Sequence, residues 1–394
     1  MSRSLPPGVL RDVAAPTPGL SRRSAHVASN AALDALLRRC LQAGPSPDIR
    51  RALEDLGPAS DVHPAWGPEL GSAIQALRAG RREMAAVSAL LAAHNAGRCG
   101  AWTITLGAPI PLFIGGHHLA PSQTLSVDAD GDALTVVTDG GSLRLLWRGG
   151  AWRLDGLHDP RGALGHLGPR HVDEAPIPGL RIETWLEPSP EPGRYFANWP
   201  GSRCDDPELA GDAARTVGAA SHILRAECAE YIGWIAPMLR GFAATRENAV
   251  FRMETASGLS HAGLATVTFP FPTLIFGEVL VHETSHQYLF LLELLAPLVE
   301  DGHPAMAYSP LRREMRPISR VLGALHASLN MWRYWDHVAG GASDDGMAAE
   351  IAARYARYND QMLDSIGAAG ALTDTGQAFF DEIARRSLAP ALPV

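Results

Sequence analysis

The sequence predicts an α+β protein with a mainly helical, metal-binding C-terminal domain, a smaller β-rich region and helices at the N-terminus. Three observations predict it. Apolar residues recur at helical spacing toward both ends of the chain, short extended runs separated by Asp-Gly turns fill the middle, and a strand precedes a long apolar helix carrying His282-Glu283-Thr284-Ser285-His286. At 394 residues the chain exceeds the usual size of one domain, so two or three packed units are expected.

Residues 1 to 25 mix Pro, Gly, Ser and Arg without steady periodicity and read as a flexible arm. Residues 26 to 100 read as a helical region, because Leu33, Leu36, Leu37 and Leu41, then Ile74, Leu77, Met84, Val87 and Leu91, fall on helical faces either side of a Pro58-to-Pro68 loop. Residues 101 to 200 read as a β-rich region and linker. Extended runs at 103–106, 124–127, 133–137 and 142–146 are punctuated by Asp130-Gly131-Asp132 and Asp139-Gly140-Gly141, turns that suit antiparallel hairpins, and the Pro-rich stretch from Pro176 to Pro200 marks the crossing. Residues 201 to 394 read as the helical catalytic domain, with helices predicted over 214–243, 272–298, 318–338 and 346–365. The alternating run Leu264-Ala265-Thr266-Val267-Thr268-Phe269 makes a strand that ends at Pro270.

A hydrophobic fraction of 46% and a charged fraction of 19% leave ample apolar surface to bury. The formal charge of -8 argues against nucleic acid, whose phosphates need clustered Lys and Arg. Cys40, Cys99, Cys204 and Cys228 show no C-x-x-C spacing and read as reduced thiols. The N-terminus holds no apolar run of signal-peptide length. The apolar stretch from Phe269 to Leu298 is interrupted by Glu278, His282, Glu283, His286, Gln287 and Glu293, which marks a buried helix instead of a membrane span. A soluble, cytoplasmic protein is expected.

On an α-helix, positions 282 and 286 lie one turn apart on the same face, so two imidazoles can close on one metal ion. Glu283 sits beside His282, placed to orient it or to act as a base on metal-bound water. With 15 His and 42 acidic residues in 394 positions, roughly 0.03 such patterns arise by accident. A purely structural His pair is the alternative. Two protein ligands rarely suffice. The H-E-x-x-H-x-x-G-x-x-H form is absent, because Leu289 and Leu292 occupy its Gly and His positions. Downstream candidates are Glu293, Glu300, Asp301, His303, Glu314, His326, Asp336 and His337. His326 is preferred, because Leu322, Leu325 and Leu329 place it inside an apolar helix, where a polar ring needs a partner. Arg316, immediately before Pro317 at the entry to that helix, is predicted to be extended and able to hold a carboxylate in two parallel hydrogen bonds; a solvated loop with three arginines is the bland alternative.

Val281-His282-Glu283-Thr284-Ser285-His286-Gln287-Tyr288-Leu289-Phe290, followed by Ser309-Pro310-Leu311, Arg316-Pro317 and Leu325-His326-Ala327, resembles the HExxH-motif peptide-modification proteins of ribosomally synthesised peptide pathways. The resemblance covers about residues 220 to 340. It implies an iron(II)- and 2-oxoglutarate-dependent dioxygenase that adds a β-hydroxyl to a residue of a precursor peptide, with His282, His286 and His326 as iron ligands and Arg316 as the candidate for the 2-oxoglutarate carboxylate. In such an enzyme Glu283 would be an orienting group, since hydroxylation of a C–H bond needs no general base. Two other readings stay open: a zinc metallopeptidase, in which Glu283 is the indispensable base, and a non-catalytic peptide-maturation partner.

Overall fold

The computed structural model describes residues 7–17, 21–60, 62–183, 206–246, 255–302, 304–341 and 346–388. The architecture is α+β, as the periodicities predict. It divides into two compact units: a sheet unit of Ser29–Arg215 and Arg240–Pro270, and a helical unit of Met1–Ala28, Thr216–Leu239 and Phe271–Val394. Among the described residues no helix is long and apolar enough to cross a membrane.

In the sheet unit, β1 (Gly100–Ile114), β2 (His117–Ala129), β3 (Ala133–Thr138), β4 (Ser142–Arg148) and β5 (Ala151–His158) form an antiparallel meander in sequence order. Its two tightest connections, Gly115-Gly116 and Gly149-Gly150, have both residues at positive φ (60° and 92°, and 60° and 81°), the backbone a two-residue hairpin turn requires and that glycine adopts without a Cβ clash. A second sheet runs β6 (Arg170–His171), β7 (Arg181–Glu183), β8 (Gly241–Arg246), β10 (Leu264–Phe269) and β9 (Thr255–Ser257) in that order. The strand read from the alternation at 264–269 is β10; flanked on both sides, parallel to β8 and antiparallel to β9, it is buried at every position. The helices α3 (Pro47–Glu54), α4 (Pro68–Arg78) and α5 (Arg82–Asn95), with most of α2 (Ser21–Gln42), occupy the region where helices were predicted.

Two expectations need correction. The helix predicted over 214–243 is instead α6 (Pro207–Glu227) and α7 (Glu230–Ile235), and residues 241–246 belong to β8. Gly241 lets β8 come close to β7, since a Cβ there would lie 2.6 Å from the Arg181 carbonyl oxygen. The stretch expected as a flexible arm contains α1 (Pro7–Ala14), whose Val9, Leu10, Val13 and Ala14 are buried. Most of the Pro176–Pro200 crossing lies outside the described residues.

The helical unit is built on α8 (Thr273–Leu295), the HExxH helix, and α9 (Ile318–Gly340), packed together and joined through the hairpin β11 (Met306–Ser309) and β12 (Glu314–Pro317). Pro272 caps α8 at its start, and Ala296, in extended backbone before Pro297, ends it. The two helices approach closely at Gly277, where a Cβ would lie 2.6 Å from Tyr334 Cζ, and the Tyr334 hydroxyl donates to the Leu274 carbonyl at 2.7 Å. The helices α10 (Met347–Ala369) and α11 (Asp374–Leu388) complete the unit; α10 packs on α9, and α11 packs on both α1 and α9.

Candidate metal centre

The HExxH helix is not buried all round. Along α8, Glu278, His282, His286 and Phe290 form a half-exposed stripe, whereas Glu283, Thr284, Ser285 and Gln287 are fully buried. The spacing of four residues stacks the two histidines on that stripe. Their Nε2 atoms face each other at 3.0 Å, with ring centroids 4.6 Å apart.

Each imidazole is held by a different environment. His282 Nδ1 lies 3.2 Å from Glu283 Oε1. Burial pulls the His282 pKa down, but the charge and hydrogen bond of Glu283, helped by Glu278, outweigh it and leave the value raised. Nδ1 therefore carries the proton that faces Glu283, and the Nε2 lone pair faces His286 in the neutral ring. His286 goes the other way: burial, then the charge of His282, with smaller contributions from His326 and Arg320, pushes it down to about 3. A neutral imidazole with an available lone pair is the form that binds a metal.

Glu278 stands one turn before His282. Trp335 Nε1 of α9 donates to its Oε2 at 2.5 Å, and the Tyr355 hydroxyl of α10 donates to its Oε1 at 2.7 Å. This carboxylate is thereby fixed below the histidine pair by two neighbouring helices.

His326, the predicted third ligand, is fully buried in α9. Its Nε2 donates to the Val13 carbonyl at 3.0 Å, its Nδ1 has no hydrogen-bond partner, and burial holds its pKa down at about 4. Donation through Nε2 makes Nδ1 the deprotonated nitrogen, so the tautomer is that of an Nδ1 ligand. The structure nevertheless brings together only His282 and His286: among the described residues no set of three or more His, Cys, Asp or Glu side chains is arranged to hold a metal. The donor chemistry of the three histidines fits a metal, and the geometry of two of them does.

The other downstream candidates are placed elsewhere. His337 donates through Nδ1 to the Arg333 carbonyl and turns Nε2 toward Glu230 at 3.7 Å. Glu293, Glu300, Asp301, Glu314 and Asp336 are exposed, and His303 lies outside the described residues. Arg316 is extended in β12, as predicted, opposite Ala307, but its Nε lies 3.5 Å from Glu314 Oε1 on a surface hairpin. The arginine whose charge reaches His286 is Arg320, exposed in the first turn of α9. Sequence reasoning passed over it, although Pro317 followed by the apolar periodicity of α9 was a usable signal that residue 320 opens the helix.

A scan against protein-family models matches none, and a search of curated proteins finds no significant similarity to this chain.

Proposed function

We propose that the protein is an iron(II)- and 2-oxoglutarate-dependent hydroxylase that adds a β-hydroxyl to a residue of a ribosomally synthesised precursor peptide. The observation that carries this reading is the placement of Glu283. A zinc peptidase needs that carboxylate aimed at metal-bound water, whereas here it is fully buried and turned to His282 Nδ1. The spacing of the pair adds support. The two Nε2 atoms, 3.0 Å apart, are close enough to share one ion.

When bound, iron would supply the oxidation, in which a C–H bond, dioxygen and 2-oxoglutarate become C–OH, succinate and carbon dioxide. His282 and His286 would hold it through Nε2, with His326 Nδ1 as the third donor. Glu283 keeps the His282 ring in the required tautomer. Arg320, whose charge reaches His286, offers a guanidinium for a carboxylate of the cosubstrate, with Arg316 as the alternative. The peptide substrate rests on the two sequence blocks around residues 281–290 and 309–327.

The test is turnover by anaerobically purified, iron-loaded protein given 2-oxoglutarate, oxygen and a candidate precursor peptide. A product heavier by one oxygen atom, with equimolar succinate and no cleaved bond, is expected. Peptide cleavage with zinc bound and indifference to 2-oxoglutarate would establish the peptidase instead.

A further inference from the structure

Away from the histidine pair, two arginines are buried in the helical unit with no salt bridge among the described residues. Arg333 of α9 is 4% exposed and Arg386 of α11 is 8% exposed. The Nε atom of each is buried with no hydrogen-bond partner, and neither guanidinium has a carboxylate within ion-pair distance among the described residues. Arg386 Nη2 donates to Thr17 Oγ1 at 2.9 Å, and Arg333 lies against the Tyr231 hydroxyl. Arg385, next in sequence, is exposed and satisfied by Glu382 at 2.9 Å.

The helices that carry these groups are firmly joined. His326 and Asn330 of α9 donate to the Val13 and Ala14 carbonyls at the end of α1, both at 3.0 Å, and α11 packs on α1 and α9. Arg11 of α1 is 40% exposed and paired with Asp12 at 3.1 Å. Burial first, then the charges of Arg333 and Arg385, lower the Arg386 pKa; Glu382 on the same helix opposes them without outweighing them, and Arg11 adds weakly. Buried charge without a counter-charge is costly, and like charges add to the cost. Guanidinium forks whose Nε–H groups are unused match the paired oxygens of a carboxylate or phosphate.

We propose that Arg333 and Arg386, with Thr17 hydrogen-bonded to Arg386, form a binding site for a compact dianion carrying paired oxygens, the chemistry shared by phosphate and a short dicarboxylate. The anion would neutralise the two guanidiniums and tie α1, α9 and α11 together, independently of the activity proposed above.

Isothermal titration calorimetry of the full chain in phosphate-free buffer tests this, with inorganic phosphate in one series and succinate in another. One anion per chain is expected to bind, and the tighter of the two identifies the source. Arg386→Gln and Arg333→Gln should each weaken binding about tenfold or more, while Arg385→Gln leaves it unchanged. Arg386→Gln removes one of the repelling charges and can keep a hydrogen bond to Thr17, so the variant should fold. Should either variant not fold, melting of the unaltered protein decides: at constant ionic strength, phosphate or succinate should raise the Tm where chloride does not. No binding heat with either anion, unchanged affinity in both variants, or no anion-specific rise in Tm would each overturn the site.

Discussion

Replacing Glu283 by Gln separates orientation of a ligand from base catalysis. The carboxylate is fully buried and 3.2 Å from His282 Nδ1, so its charge is felt with little solvent screening. Gln can still accept from Nδ1, but the bond loses its charge assistance, which contributes about half of its strength. Removing such an outer partner of a metal-bound histidine typically weakens metal binding about 10- to 100-fold, or roughly 1.4 to 2.7 kcal/mol. Anaerobic titration of iron(II) against a chromogenic chelator should show a rise in Kd of that size in Glu283→Gln. With iron at saturating concentration, hydroxylation should recover to a substantial fraction of the original rate, because the base has no step to perform. An unchanged metal Kd combined with complete loss of turnover would refute the reasoning, since that pattern belongs to a general base.

Other outcomes follow from particular contacts. His282→Ala and His286→Ala, on the half-exposed stripe, should abolish iron binding at a cost in stability under about 1 kcal/mol, read from metal content and urea unfolding. His326→Ala should cost about 2 to 4 kcal/mol, because it leaves a cavity in the core and strands the Val13 carbonyl; full iron occupancy in the folded variant would remove His326 from the ligand set. Gly277→Ala should destabilise the helical unit by about 2 kcal/mol, because the new methyl meets the buried Tyr334 ring; a wild-type unfolding midpoint would contradict that contact. In the sheet unit, Glu69 is 1% exposed and accepts the Gly115 N–H at 2.6 Å, and burial raises its pKa from 4.5 to about 7 against the pull of Arg181. A carboxyl raised in the folded state contributes stability that is full below pH 4.5 and is lost as pH climbs to about 7. The loss is worth about 3 kcal/mol, and Glu69→Gln should abolish it; parallel stability-against-pH curves for the two proteins would count against the assignment.

Much of the helical unit was legible because its signals are local. Pro272, a long apolar run and Pro297 bound α8 within the sequence, and the four-residue spacing alone puts His282 and His286 on one face. Long-range packing hid the rest. The Ala-rich stretch around Phe242-Ala243-Ala244 suits a helix or a strand, and what makes it β8 is its pairing with β10, more than 20 residues later. Nothing near α1 announces that it is buried; its terminal carbonyls are met by His326 and Asn330, over 300 residues away in sequence. His326 showed the same blind spot: its apolar neighbours correctly implied a buried ring with a partner, and in the structure that partner is the Val13 carbonyl.

The clamp on Glu278 is a late product of chain assembly. The carboxylate one turn below His282 is held by Trp335 and Tyr355, residues 57 and 77 positions further along the chain. A nascent chain ending before Met347 would contain every letter of the HExxH motif yet lack half of the clamp, leaving one carboxylate oxygen for water to occupy. Completion of the clamp is thereby keyed to the docking of α10: the motif comes well before the residues that hold the carboxylate beside it.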